Sequence, residues 1–238
     1  MSDFEKIFLL GVGLTSAKKE EILEFIYTGL QKSIEKYYIV TPNPELLVIA
    51  DKNREYKNIL NKAKLALPDG IGVILGAYFL GKPLKQRITG VDLVENLCKH
   101  ASKRPITVGF LGGGPNVAEE TAECLRKKYP GLNVKLVSQE WSEDFTKEKI
   151  DILFVAFGSP KQEIWIYENL KKLPVKVCIG VGGSFDFISG KVPRAPGVLT
   201  KFGLEWLFRL LIQPWRIKRQ LSLKKFVYLI FKEKLKKI

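Results

Sequence analysis

The run DILFVAF at residues 151–157 constrains the fold more than any other stretch of the chain. Beyond its first residue it carries no polar position, so as a strand it needs apolar cover on both faces. It ends in Gly158-Ser159-Pro160-Lys161-Gln162-Glu163, a breaker-rich turn from which a helix is expected to run to Lys172. The same succession recurs along the chain. A strand at 37–40 stops at Thr41-Pro42-Asn43-Pro44, where Pro44 suits the first turn of a helix. A short strand at 65–67 meets Pro68-Asp69-Gly70, and one at 106–111 meets Gly112-Gly113-Gly114-Pro115 ahead of a helix starting at Asn116. The run 175–181 leads into Gly182-Gly183-Ser184-Phe185-Asp186. Two further strands are expected at 7–14 and 133–137, and a helix capped by Ser16 carries Ile22, Phe25, Ile26, Leu30 and Ile34 on one face. Apolar strands alternating with helices predict an α/β domain whose mainly parallel sheet is covered on both sides.

In such a sheet the carboxyl ends of the strands share one rim, and that rim is where open α/β folds bind ligands. Thr41, Asn43, Asp69, the turn from Gly112 and Gly113 to Asn116, Gln162 and Asp186 all fall there. Taken singly, each is an ordinary turn or helix cap. Their convergence is what argues for a site. The GGGPN turn offers bare amides at a helix N-terminus, suited to phosphate. It fails the dinucleotide fingerprint, because Val117 holds the third-glycine position, and it lacks the Gly-Lys-Ser/Thr of a P-loop. A phosphate-bearing ligand and a plain tight turn both stay open. No Asp-x-Asp pair occurs, so a carboxylate-bridged metal is not expected; arginines would neutralise a diphosphate, and Arg87, Arg209, Arg216 and Arg219 are available.

The formal charge is +14, and residues 201–238 hold +9 of it, with 11 basic and 2 acidic side chains. The chain is therefore expected to divide into a domain at 1–195 and a basic helical appendage at 196–238. Leu223, Phe226, Val227, Ile230, Phe231, Leu235 and Ile238 fall on one helical face with lysines opposite. That pattern suits an anionic membrane surface, or packing on the chain's own domain or a partner subunit. No run approaches the ~20 apolar residues of a spanning helix, and no leader peptide is read at the N-terminus. Three scattered cysteines point to a reducing compartment, and the single histidine, His100, makes histidine-based triads and metal sites poor expectations. The basic charge alone would admit a nucleic-acid-binding protein, but no helix-turn-helix, RNP or zinc pattern appears. The apolar helix near 71–80 would serve the core or a homo-oligomer contact equally.

Seven segments, TPNPELL, LPDGIG, RITGVDL, FLGGGPNVAE, VAFGSPKQE, GVGGSFDFISGKVPRAP and FGLEWLFRLLIQPWRIKRQ, occur in this order between about residues 38 and 220. Together they resemble the WecG/TagA/CpsF glycosyltransferases, most closely the TagA branch. The resemblance implies a Rossmann-like α/β fold with a C-terminal appendage and no metal requirement; no other cofactor is expected, and one base without a covalent nucleophile would make the reaction inverting. It further implies transfer of N-acetylmannosamine from UDP-ManNAc to undecaprenyl-diphosphate-linked GlcNAc in wall teichoic acid synthesis, by a cytoplasmic enzyme at the membrane's inner face. ManNAc-uronic acid and glucose donors stay open. Carried over by motif, Asp69 is the catalytic base. Thr41, Asn43, Arg87, Gln162 and Asp186 line the pocket, and Arg209, Arg216 and Arg219 close over it from the appendage.

Overall fold

In a computed structural model, which describes residues 4–32, 35–147, 149–201, 203–214 and 217–236, the chain opens with β1 (Lys6–Leu9) and β2 (Val12–Thr15). The expected single strand at 7–14 is instead this antiparallel hairpin. Leu10 and Gly11 both take positive φ, 51° and 80°, as a two-residue turn between twisted strands demands. Helix α1 (Lys19–Gln31) follows, with Lys18 rather than Ser16 at its N-cap. Then come β3 (Tyr37–Val40), α2 (Pro44–Lys52), α3 (Arg54–Lys62), β4 (Leu65–Ala66), α4 (Ile71–Phe79) and α5 (Gly90–Ala101). The second half runs β5 (Thr107–Gly112), α6 (Val117–Lys128), β6 (Asn133–Ser138), β7 (Ile150–Ala156), α7 (Lys161–Asn169), β8 (Val175–Gly180) and α8 (Ser184–Ile188). Helices α9 (Gly197–Lys201), α10 (Glu205–Ile212) and α11 (Ile217–Leu235) complete the described chain.

Six strands form one sheet in the order β4-β3-β8-β7-β5-β6, and every pairing is parallel. The apolar strands alternate their side chains between two cores. Tyr38, Val40, Leu153, Val155 and Cys178 face the layer that holds α2, α3, α4 and α7. Ile39, Ile152, Phe154, Val177 and Ile179 face the layer of α1, α5, α6 and α8. Both faces are thus dry, as the unbroken apolar run of β7 requires. Local caps start the helices: Asn43 accepts from the Leu46 amide at 3.1 Å, and Thr89 from the Asp92 amide at 3.1 Å.

Helix α11 packs back onto the domain against α2 and α4. Phe226, Leu229 and Ile230 are buried there, while Val227, Phe231 and Leu235 of the same helix are exposed. The apolar face read from the sequence is therefore divided between the protein's own core and solvent; Ile238 lies outside the described residues. Among the described residues no helix is long and apolar enough to cross a membrane.

Candidate active site

Residues just beyond the carboxyl ends of all six strands line a single cavity of about 1410 Å³. Thr41 and Asn43 come from β3, Asp69 from β4, and Gly113 and Gly114 from β5. Gln139 and Glu140 come from β6, Phe157 to Ser159 from β7, and Val181 to Asp186 from β8. Helices α10 and α11 close the open side with Glu205, Arg209 and Phe226 among other residues.

Asp69 owes its position to a tight turn. Its amide donates to the Pro42 carbonyl at 2.9 Å, tying the β4 exit to the β3 exit. Gly70 follows with φ 87°, a left-handed conformation that a side chain would strain. The carboxylate accepts from the backbone amides of Gly70 and Gly90. Gly90 also lies close against the β8 loop, where a Cβ would stand 2.6 Å from the Ser184 hydroxyl. Burial is the largest influence on Asp69 and pushes its carboxyl up to about 7; Arg87 opposes the shift, Glu205 adds to it, and the two amides oppose it. A carboxylate poised near neutrality at the wall of a cavity is suited to exchange a proton.

Arg87 lines the same cavity and donates from Nη2 to the Thr200 carbonyl at 3.0 Å, joining the β4 side of the rim to α9. On the β8 side Arg209 reaches down from α10, and its Nη2 lies 3.1 Å from Asp186 Oδ2. Its Nε donates to Gln213 Oε1 at 3.1 Å, and the guanidinium stacks 4.6 Å from the centre of the Phe187 ring. Packing and hydrogen bonding therefore fix this cation within the cavity.

Two of the expected residues line the cavity while spending their polar atoms inside the protein. The Thr41 hydroxyl donates to the Gly180 carbonyl at 3.0 Å, stitching β3 to β8. Gln162 is fully buried: its Oε1 accepts from the Gly182 amide at 3.0 Å, and its Nε2 donates to Glu163 Oε1 at 2.7 Å. Glu163 is buried in turn and also receives the hydroxyls of Ser159 (2.8 Å) and Tyr56 (3.0 Å). Burial raises its carboxyl pKa against the pull of these donors. The network holds the β7 and β8 loops in register, a bracing use of Gln162.

The glycine turn divides. Gly113 and Gly114 reach the cavity, Gly112 is buried at the strand end, and Asn116 stands exposed at the N-cap of α6 in a left-handed conformation, φ 61°. Arg216 and the side chain of Arg219 lie outside the described residues. Glu205 was not foreseen. It sits one helical turn before Arg209, a spacing that puts both on one face, and that spacing was the available signal.

A parallel α/β sheet whose strand ends converge on a buried carboxylate and two arginines defines an enzyme of the ligand-at-the-rim α/β class. Residues 7–238 match the Glycosyl transferase WecG/TagA/CpsF family, and the chain belongs to that family. It is a glycosyltransferase. The chain is similar to an N-acetylglucosaminyldiphosphoundecaprenol N-acetyl-beta-D-mannosaminyltransferase of Bacillus spizizenii, 40% identical over 82% of this chain and 79% of that protein. The protein of that name from Bacillus subtilis strain 168 is 34% identical over 84% of each chain. One from Staphylococcus aureus strain MRSA252 is 32% identical over 99% of this chain and 96% of its own.

Proposed function

We propose that this chain transfers N-acetylmannosamine from UDP-ManNAc to GlcNAc linked to undecaprenyl diphosphate, with inversion, in wall teichoic acid synthesis. The observation that carries this reading is Asp69, a carboxylate tuned to about 7 in a cavity that also holds Arg87 and Arg209. The names of the relatives supply the two sugars and the lipid.

A sugar hydroxyl is a poor nucleophile at neutral pH. Asp69, in its ionised form, accepts the acceptor hydroxyl's proton as oxygen bonds to the anomeric carbon and the bond to the donor's diphosphate breaks. The pair of electrons leaving with that bond adds negative charge to UDP. Arg209 and Arg87, with the amides of the Gly113-Gly114 turn, stand ready to meet it. A single base, with no covalent sugar–enzyme bond, makes the reaction one displacement with inversion. Charge neutralisation in this reading falls to the arginines, whose planar fork suits phosphate oxygens. Residues 196–238 act in this reading as an appendage that completes the site through Glu205 and Arg209. Its lysines hold the enzyme on an anionic membrane face in the cytoplasm.

A panel of radiolabelled UDP-sugars with a GlcNAc-diphospho-lipid acceptor tests the proposal. Transfer from UDP-ManNAc, undiminished by EDTA and giving a β-linked product, is expected. Preferential use of UDP-glucose or UDP-ManNAc-uronic acid would replace the donor, and abolition by EDTA would replace the arginine mechanism.

A further inference from the structure

The cavity is polar at one end and apolar at the other. From Asp69 its wall continues along α4 through Gly72, Leu75 and Gly76 to Phe79, facing Leu223, Val227 and Phe231 of α11. Gly76 lets the two helices approach closely, since a Cβ there would lie 3.0 Å from the Phe226 ring. At the far end the rings of Phe79 and Phe231 stand 4.8 Å apart, with the Lys234 ammonium 5.7 Å from the Phe79 ring centre. This trough is open to solvent: Leu75, Phe79, Val227 and Phe231 are 58%, 42%, 46% and 53% exposed. Leaving so many large apolar side chains half in water has a cost that an apolar occupant would remove.

We infer that the α4–α11 trough binds the hydrocarbon chain of a prenyl-diphosphate acceptor, taking the isoprene units nearest the diphosphate. The inference rests on the lipid-linked acceptor proposed above and assigns its tail a protein surface. Two features favour a lipid chain over a second copy of this protein. The trough is continuous with the cavity of Asp69, so a protein segment seated in it would obstruct the approach to the reaction centre. Helix α11 also bears Lys224, Lys225, Lys232 and Lys234, which repel an identical helix and attract a diphosphate or an anionic lipid surface. One continuous groove thereby matches both halves of an amphipathic substrate: sugar and diphosphate at the rim, hydrocarbon between the helices.

Calorimetric titration of the full chain with geranyl diphosphate and with inorganic diphosphate tests this. The prenyl compound is expected to bind at least about tenfold more tightly, the worth of burying a few methylene-sized groups. Leu75→Asp and Phe231→Asp, both at partly exposed positions that tolerate charge, should bring the ratio towards one. Equal affinities in the unaltered protein, or a ratio that neither substitution changes, would overturn the assignment. So would a ratio that follows the dissociation of a dimer in sedimentation, which would mark the trough as a contact between copies. The sugar-transfer reading fails separately: tail-dependent binding with no consumption of any UDP-sugar would remove that reading and leave the groove in place.

Discussion

Asp69 and Asp186 occupy the same rim, one after β4 and the other at α8 beyond β8, and both line the same cavity. Asp186 is answered directly by a cation, with Arg209 at 3.1 Å. Asp69 is held by backbone amides in a buried pocket, while the nearby Arg87 donates to the Thr200 carbonyl and Glu205 of α10 adds a repelling charge. The same functional group therefore receives two environments: one carboxylate is paired with a guanidinium, and the other is buried against backbone amides, where burial raises its pKa. The difference teaches where chemistry and where positioning reside. A carboxylate paired with arginine orients that arginine, and one that backbone amides hold in a buried pocket can serve as a base.

The sharpest way to break this contrast is to neutralise each carboxylate. Asp69→Asn is expected to lower kcat by about 10²–10⁴-fold with KM nearly constant, measured by steady-state UDP release. Asp186→Asn should act mainly on donor KM, because it frees Arg209 rather than removing a base. A few-fold loss from Asp69→Asn would sink the assignment. Next in size, Arg209→Ala should cost roughly 10²-fold in kcat/KM, if that cation meets the charge of the leaving diphosphate.

A third test uses pH. Activity should rise with pH through an inflection near 7, since the base works ionised. Glu205→Gln removes a repelling charge and should move the inflection down, whereas Asp186→Asn should leave it in place. An inflection unmoved by Glu205→Gln would show that α10 does not tune Asp69.

The smallest effect is on stability. The carboxyl of Asp69 ionises near 3.8 when exposed and near 7 in the fold, so the folded state holds its proton longer. That contribution to stability is full below about pH 4 and is lost as pH rises through 7. Asp69→Asn should therefore gain stability relative to the unaltered protein as pH rises from 5 to 8, by up to a few kcal/mol, read as a growing Tm offset. Thermal melts at the two pH values that show an equal offset would contradict the burial of this group.

The strand ends were legible because apolar runs stop abruptly at Gly, Pro and Asp, and parallel strands must end on one side. That logic puts Asp69, Thr41, Asn43 and Asp186 on one rim, and all four line the cavity. What stayed hidden depends on tertiary geometry. The turn at Leu10-Gly11 breaks a continuous apolar run that otherwise scans as one strand, because its signal lies in two positive φ angles. Asn116 shares the glycine turn but is carried outward by a left-handed cap. Gln162 sits at the expected place with its amide committed to Gly182 and Glu163, a pairing no local pattern displays. Glu205 approaches Asp69 only because the chain returns across the rim after about 135 intervening residues.

The cavity takes a contribution from the loop after each of six strands, which has a consequence for how such a protein can diversify. Most of these loops rest on strands buried between two separate cores, so a loop can be resculpted without disturbing its neighbours' foundations. Independence ends where the loops are laced to one another or to α10: Thr41 to Gly180, Gln162 to Gly182, and Asp186 to Arg209 of α10. Changes at the unlaced positions would drift one at a time; at Thr41 and Gln162 a replacement must still reach the same backbone group, and only Asp186 and Arg209 would have to change as a matched pair.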